Sequence, residues 1–186
     1  MHKNFRKNRK TVRQILNHHF DRFGKCDRIK MLASHLKMPT LFFEKKDEEK
    51  TMIPERLAAL REKMRAYGVD AYLVPTADYH ESEYVGTYFK ARTYITGFTG
   101  SAGTAVITQD EACLWTDGRY FVQAAKELAG TGVTLMKMGQ EGVPTVEEYL
   151  QANTKEGMTI GFDGRVVNEM LGETLEKTLP ERFFSY

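Results

Sequence analysis

Residues 103–128 read GTAVITQDEACLWTDGRYFVQAAKEL. Two β-rich runs in this stretch, 103–108 and 112–116, are separated by three polar residues, and this arrangement is typical of a β-hairpin. Asp117 follows the second run and can cap a helix over 118–128, because a carboxylate at the N-cap accepts a hydrogen bond from the first helical turn. The stretch therefore predicts two paired strands followed directly by a helix.

The sequence on either side alternates between helix and strand patterns. Pro54 suits the first turn of a helix, and one face of this helix would carry the apolar residues Leu57, Leu60, Met64 and Tyr67. We predict helices over 54–67, 144–150 and 167–179, and strands over 71–74, 133–138, 158–162 and 181–186. Strands that alternate with helices indicate an α/β fold, with a mixed β-sheet flanked by helices.

Charge divides the chain into two parts. Residues 1–50 contain 14 Lys and Arg against 6 Asp and Glu, whereas residues 51–186 contain 13 against 19. This change predicts a basic leader over 1–50, which ends in the charged linker EKKDEEK at 44–50, and a folded domain over 51–186. Apolar spacing predicts helices in the leader at 12–23 and 27–36.

Composition favours a cytoplasmic protein. The sequence has no apolar run near the roughly twenty residues that a membrane helix needs, and no apolar segment follows the basic start as it would in a secretory signal. Cys26 and Cys113 lie far apart, which indicates neither a disulfide nor a zinc site and suits a reducing compartment. We therefore expect a cytoplasmic location and no membrane partner.

The basic leader raises the alternative of a nucleic-acid-binding protein. Its 14 basic residues would suit a phosphate backbone. However, the stacked aromatic residues and the characteristic folds of such proteins are not evident. Surface charge explains the leader more simply, so we predict no nucleic-acid partner.

Two clusters, at 77–104 and 114–128, place charged, aromatic and glycine residues near strand ends. A phosphate-binding loop is suggested by the spacing of Gly97, Gly100 and Gly103, but these glycines precede a strand instead of opening a helix. The helix N-terminal donors that bind phosphate are therefore missing. Tight turns explain these glycines better.

Arg119 follows Asp117 by two residues and has two open interpretations. In one, both residues belong to a capped surface helix with a local ion pair. In the other, Arg119 projects its guanidinium from a strand end toward a peptide carbonyl or carboxylate. His80 lies beside Glu81 and Glu83, but one histidine with two carboxylates does not complete a metal site. Loop ordering is the simpler role for His80.

The sequence contains no complete active site. No candidate nucleophile is paired with a candidate general base, and no group of histidines and carboxylates has metal-ligand spacing. We also find no internal repeat. We therefore predict no catalytic residue and no metal ligand in this chain.

Four long motifs follow one another in the second region of the chain. They are HESEY at 80–84, ARTYITGFTGSAGTAVIT at 91–108, LWTDGRYFVQAAKEL at 114–128 and TLMKMG at 134–139. Over 52–186 the chain resembles the amino-terminal domain of aminopeptidase P, in the three-domain form of bacteria and the eukaryotic cytosol. Prolidase and creatinase share the fold of this domain more than these motifs.

The resemblance implies a ribonuclease-H-like topology and a place before a "pita-bread" catalytic domain. That catalytic domain binds two divalent metals, usually manganese, and removes the first residue of peptides whose second residue is proline. The amino-terminal domain covers the cleft and shapes the peptide site. The family's arginine in TDGRY contacts the peptide, and the resemblance carries this role to Arg119. His80 and Asp117 match motif positions and are implied only to shape the site.

The resemblance also implies that both the catalytic domain and the middle domain are missing from this chain. We therefore expect a peptide with proline second as the ligand, the catalytic domain as a partner in cis and a homodimer of the full-length protein. We expect no cofactor in this chain and no turnover by it alone. One alternative stays open, in which the domain is a stand-alone peptide-binding or oligomerisation module without catalysis.

Overall fold

The structure is a computed structural model that describes residues 44–185. The helices predicted over 12–23 and 27–36 lie outside the described residues. The elements in chain order are α1 (Glu44–Tyr67), β1 (Ala71–Pro75), α2 (Ala91–Thr96), β2 (Thr104–Thr108), β3 (Ala112–Thr116), α3 (Phe121–Leu128), β4 (Thr134–Lys137), α4 (Val146–Asn153), β5 (Thr159–Phe162), α5 (Glu169–Thr178) and β6 (Phe183–Ser185). Short 3₁₀ turns at Thr87–Phe89 and Gly118–Tyr120 precede α2 and α3.

The strands form one mixed sheet in the order β4-β3-β2-β1-β5-β6. Strand β2 runs antiparallel to both β1 and β3, and the pairing of Val106 with Leu73 and Cys113 fixes the register. The remaining pairs, β1 with β5, β5 with β6 and β3 with β4, are parallel. The predicted hairpin and the mixed α/β sheet are both confirmed.

Helices cover both faces of the sheet. Successive side chains of a strand point to opposite faces, so Ala105 and Ile107 of β2 enter one core and Val106 enters the other. The first core packs against α1, α2 and α3, and the second against α4 and α5. The helix residues buried in these cores are Ile53, Leu57, Met64, Ile95, Ala124 and Leu128 on the first face and Tyr149, Leu150 and Leu175 on the second.

Helix α1 begins earlier than the sequence predicted. The segment 44–50, predicted as a charged linker, forms the first turns of α1. The linker prediction is therefore wrong, and the reason is that Glu and Lys, which dominate EKKDEEK, are among the better helix formers. Charge density alone does not separate a solvated helix from a solvated linker.

The apolar stripe of α1 follows the predicted spacing in part. Leu57 and Met64 are buried, and Leu60 packs against the same core. Tyr67, which was predicted to share this stripe, is 52% exposed because it is the last residue of the helix. Gly68 ends the helix as predicted and adopts a φ of +65°.

Two local features refine the predicted boundaries. Helix α2 and the 3₁₀ turn before it were not predicted, because the six-residue ARTYIT is too short to show a helical period. Helix α4 begins after Thr145, whose hydroxyl accepts from the Glu148 backbone N–H while the Glu148 carboxylate accepts from the Thr145 N–H. This capping box places Pro144 just before the helix instead of inside it.

Several loops that carry charged residues lie at one edge of the sheet. From the strand directions above, β1, β3, β4, β5 and β6 end at this edge and β2 begins there. We call it the carboxyl edge.

Within residues 44–185, every helix is too short or too polar to span a membrane.

Candidate functional site

Three segments of chain meet at the carboxyl edge. They are the loop after β1 (76–90), the segment that leads into β2 (97–103) and the turn after β3 (117–120). Strands β1, β2 and β3 are neighbours in the sheet, so the hydrogen-bonded ladder fixes the spacing of these segments. The candidate site consists of side chains from all three.

Arg119 is held by carboxylates from two of these segments. Its backbone N–H and its Nε both donate to Asp117 Oδ1 at 3.0 Å, and Nη2 donates to Asp117 Oδ2 at 2.9 Å. Its Nη1 donates to Glu83 Oε1 at 3.0 Å. A bidentate contact between a guanidinium and a carboxylate fixes the plane of the arginine as well as its position. The local ion pair of the first interpretation of Arg119 is therefore present, and contact of its guanidinium with a peptide stays a prediction.

A second layer of hydrogen bonds orients Glu83. The Ser101 hydroxyl donates to Glu83 Oε1 at 2.7 Å and lies 2.6 Å from the Tyr120 hydroxyl. The guanidinium carbon of Arg119 lies 5.3 Å from the centroid of the Tyr120 ring. The network thus links the loop after β1, the segment before β2 and the turn after β3.

The charges of this network are mutually stabilised. The side-chain hydrogen bond from Arg119 lowers the pKa of Asp117, and the hydrogen bond from Ser101, assisted by the charge of Arg119, lowers the pKa of Glu83. The pKa of Arg119 is raised, chiefly by its hydrogen bonds to Asp117. All three groups are therefore charged at neutral pH.

Arg119 remains accessible despite its partners. Its side chain is 59% exposed, so the guanidinium can reach a ligand without prior unfolding. A guanidinium carries more N–H donors than the contacts with Asp117 and Glu83 use. It can therefore donate further hydrogen bonds beside the Asp117 side chain, which is 36% exposed.

A buried arginine supports this site from beneath. Arg92 is 3% exposed and donates to the carbonyl oxygens of Phe98, at 2.7 Å, and Gly100, and to the Thr76 hydroxyl at 3.0 Å. Burial lowers the pKa of Arg92 to about 10, which still leaves it positively charged at neutral pH. Arg92 therefore ties the start of the loop after β1 to the segment that positions Ser101.

The predicted site residues are brought together only in part. Asp117 and Arg119 are in contact, whereas His80 is exposed and its side chain takes no part in the network around Arg119. The backbone N–H of His80 donates to Asp78 Oδ1 at 2.8 Å, which orders the turn at that point. A role of His80 in shaping the peptide site stays a prediction.

Sequence reasoning missed three members of the network: Glu83, Ser101 and Tyr120. Their only signal was proximity to strand ends within the two clusters at 77–104 and 114–128. Cys113 and Trp115 of β3 are core residues, and each is 1% exposed. Burial raises the pKa of the Cys113 thiol, as expected for a structural cysteine.

The described domain matches a known family of N-terminal domains. Residues 56–185 match the family profile of the Creatinase/Prolidase N-terminal domain. The match extends over more than half of the chain, and the chain belongs to this family.

Similar proteins are longer than this chain. A probable Xaa-Pro aminopeptidase P of Talaromyces marneffei is 49% identical over 128 residues, which are 67% of this chain and 19% of that protein. Aminopeptidase P2 of Arabidopsis thaliana is 39% identical over 140 residues, which are 74% of this chain and 20% of that protein. This chain therefore spans about a fifth of the length of these curated relatives.

A solved structure shows the same fold. The X-prolyl aminopeptidase of Caenorhabditis elegans aligns with a TM-score of 0.65 at 34% identity, over 74% of this chain and 24% of that chain. That protein is described as a cytosolic enzyme with a di-nuclear active site. Together with the family match, this likeness confirms the predicted relationship to the N-terminal domain of Xaa-Pro aminopeptidases.

The di-nuclear active site described for the Caenorhabditis elegans enzyme has no counterpart among the residues that the structure describes. Across residues 44–185, no three His, Cys, Asp or Glu side chains are grouped so that they could hold a metal ion. The carboxylates of Asp117 and Glu83 are instead engaged by Arg119. We therefore assign no metal to this site and derive no chemical step through one.

Proposed function

We propose that this chain is the substrate-positioning N-terminal domain of a metal-dependent Xaa-Pro aminopeptidase, and that Arg119, held by Asp117, contacts the peptide. The reaction of such an enzyme removes the first residue of a peptide whose second residue is proline. In this proposal the catalytic domain is a partner in cis, and it holds the two divalent metals, with manganese as the expected ion. The cytoplasm is the proposed location.

The proposal rests on the guanidinium of Arg119, which is exposed and contacts both Asp117 and Glu83. An arginine whose plane is fixed loses less conformational entropy on binding than a free surface arginine. An exposed ion pair contributes only about 0–1 kcal/mol to stability, so stability alone gives little reason for three contacts to one 59% exposed side chain. The position of the site at the ends of β1 and β3 suits a surface that faces a peptide.

Catalysis is proposed to reside outside this chain. The matched family profile is that of an N-terminal domain, and the relatives are about five times as long as the aligned part. The purified chain given manganese and an Xaa-Pro peptide is therefore expected to release no free amino acid. Metal-dependent release above the blank would contradict this part of the proposal.

Peptide binding tests the role of Arg119. The tripeptide Ala-Pro-Ala is titrated into ¹⁵N-labelled chain up to several millimolar. This range covers a Kd near 1 mM, which corresponds to a binding free energy of ~4 kcal/mol. We expect saturable shifts of the Arg119 Nε–H resonance, and binding at least tenfold weaker in Arg119→Ala, because charge-assisted hydrogen bonds to the peptide are lost.

The matched control is Arg65→Ala. Arg65 is an exposed arginine that donates to Gln109 Oε1 at 2.8 Å, at the opposite edge of the sheet. Its removal is expected to leave binding unchanged. Equal binding by the wild type and Arg119→Ala, or no binding at all, would contradict the proposed contact.

A further inference from the structure

A second Asp-Gly-Arg sequence follows a strand at the same edge. Residues 163–165 come directly after β5, as residues 117–119 come directly after β3. Strands β3 and β5 both end at the carboxyl edge. A three-residue repeat is too short to stand out in the sequence, from which no internal repeat was predicted.

The two turns make the same contacts. The Arg165 backbone N–H donates to Asp163 Oδ1 at 3.0 Å, Nε donates to the same oxygen at 2.8 Å, and Nη2 donates to Asp163 Oδ2 at 2.5 Å. The equivalent contacts of Arg119 with Asp117 are 3.0, 3.0 and 2.9 Å. Each Nη1 then donates to a residue of the loop after β1, which is Tyr88 for Arg165 and Glu83 for Arg119.

Each guanidinium also lies near a tyrosine ring. The guanidinium carbon of Arg165 is 5.3 Å from the centroid of Tyr88, and that of Arg119 is 5.3 Å from the centroid of Tyr120. The Tyr88 ring is supported by an edge contact with Phe89, at 5.0 Å between centroids. An arginine stacked near an aromatic ring keeps its plane fixed while its outer N–H groups remain available.

The Asp163–Arg165 pair is accessible, and it is connected to the loop after β1. The side chain of Arg165 is 45% exposed, and Tyr88 is 68% exposed. Asn168 Nδ2 donates to Glu81 Oε1 at 2.6 Å, so the loops after β1 and β5 are joined at two points. The loop after β1 thus lies between two arginines that are held in the same way.

We infer that the Asp163–Arg165 pair is a second peptide-contact point, which binds an acceptor oxygen of the peptide chain about four residues away from the oxygen bound at Arg119. This inference rests on the proposed function. Strands β3 and β5 are separated by three strand-to-strand steps of roughly 4.8 Å, or about 14 Å in total. An extended chain advances roughly 3.4 Å per residue, so about four residues span that gap.

The chemistry of the pair fits a peptide. A guanidinium paired with a carboxylate is close to neutral overall, so it does not select for net charge, but it still presents N–H donors that the carboxylate does not use. A peptide group presents a carbonyl oxygen that can accept from such a donor. The acceptor bound by Arg165 is either an internal carbonyl or the terminal carboxylate, since both present oxygens to the fork.

A peptide-length series tests the inference. Ala-Pro-Ala and the hexapeptide Ala-Pro-Ala-Ala-Ala-Ala, each with a free and with an amidated C-terminus, are titrated into the 186-residue chain. We expect the wild type to bind the hexapeptide about tenfold more tightly than the tripeptide, as one added charge-assisted contact allows. In Arg165→Ala that ratio is expected to fall to about one.

Two further variants sharpen the result. Arg165→Lys keeps the charge but loses the planar fork, so it is expected to recover only part of the ratio. Arg65→Ala, at the opposite edge, is expected to keep the full ratio. A gain that persists after amidation assigns the contact to an internal carbonyl, and a gain lost on amidation assigns it to the terminal carboxylate.

The inference and the proposed function fail in different ways. Binding of the tripeptide that depends on Arg119, combined with no length gain or with a gain retained in Arg165→Ala, would overturn this inference and leave the proposed function intact. Absence of binding that depends on Arg119 would contradict both. Urea unfolding of Arg165→Ala, expected within about 1 kcal/mol of the wild type for an exposed ion pair, verifies that the variant is folded.

Discussion

Arg119 combines two properties that a binding arginine needs, exposure and a fixed orientation. The side chain is 59% exposed, yet Asp117 and Glu83 hold three of its nitrogen atoms. These partners lower its freedom without burying it. At the scale of single residues, this arrangement is the strongest reason to treat the carboxyl edge as a contact surface.

The titration of Asp117 gives the first prediction at this scale. The pKa of Asp117 is lowered by Arg119 relative to its ordinary value of 3.8. A carboxyl group whose pKa is lowered by folding stabilises the fold above that ordinary value, and the contribution is lost as the pH falls through the lower, folded pKa. ¹³C-detected carboxyl titration is expected to show Asp117 titrating below pH 3.8 in the wild type and moving back toward it in Arg119→Ala. An unchanged titration in Arg119→Ala would contradict the ion pair, and Arg65→Ala serves as the control.

Arg92 gives the second prediction. Arg92→Leu removes the donors that satisfy the carbonyl oxygens of Phe98 and Gly100, and a buried acceptor without a partner costs about 1–3 kcal/mol. We expect the free energy of unfolding to fall by about 3 kcal/mol in urea titrations, whereas Arg65→Ala changes it by less than about 0.5 kcal/mol. If Arg92→Leu left the free energy of unfolding unchanged, this buried arginine would not organise the site.

At the scale of elements, the segment that leads into β2 is shaped by a close approach at one glycine. A Cβ atom at Gly100 would lie 2.3 Å from the Phe98 ring and 2.8 Å from the Tyr120 ring. The Phe98 and Tyr120 rings pack edge to face at 5.7 Å between centroids. Packing requires glycine here, and this refines the tight-turn interpretation that the sequence suggested.

Gly100→Ala is therefore expected to destabilise the fold by about 1–3 kcal/mol through overpacking. It is also expected to displace Tyr120 and thereby weaken the contact of its hydroxyl with Ser101. The matched control is Gly86→Ala, because Gly86 has a φ of −61° and open space around it. Equal unfolding free energies of the two variants in urea would contradict the steric argument.

The sequence predicted the elements well where patterns were long and poorly where they were short. The hairpin and the strands around it follow from runs of β-rich residues bounded by polar turns. Helix α2 has six residues, fewer than two turns, which is too few for a period to appear. Helix α1 began earlier than predicted because a charged run of Glu and Lys favours a helix as readily as a linker.

The candidate site was predictable only through its motif. The pairing of Asp117 with Arg119 is local, so the spacing of two residues could suggest it. The contacts of Glu83, Ser101 and Tyr88 join residues that lie 18 to 77 positions apart, and only the strand order brings them together. No local pattern in a sequence encodes such contacts.

At the scale of the whole molecule, Arg119 and Arg165 both lie at the carboxyl edge of the sheet, whereas the opposite edge carries tight turns. The turn between β2 and β3 lies at the opposite edge, where Thr108 and Glu111 bond to each other. A domain built to face a peptide is expected to concentrate its ligand contacts on the carboxyl edge. The proposed function requires this difference between the two edges.

Photo-cross-linking measures this difference between the two edges. An Xaa-Pro peptide that carries a benzoylphenylalanine side chain is irradiated with the 186-residue chain, and the modified residues are mapped by mass spectrometry. We expect cross-links within 76–103, 117–120 and 163–168, with reduced yield in Arg119→Ala. Cross-links concentrated at 108–112, or a yield unchanged in Arg119→Ala, would contradict the proposed function.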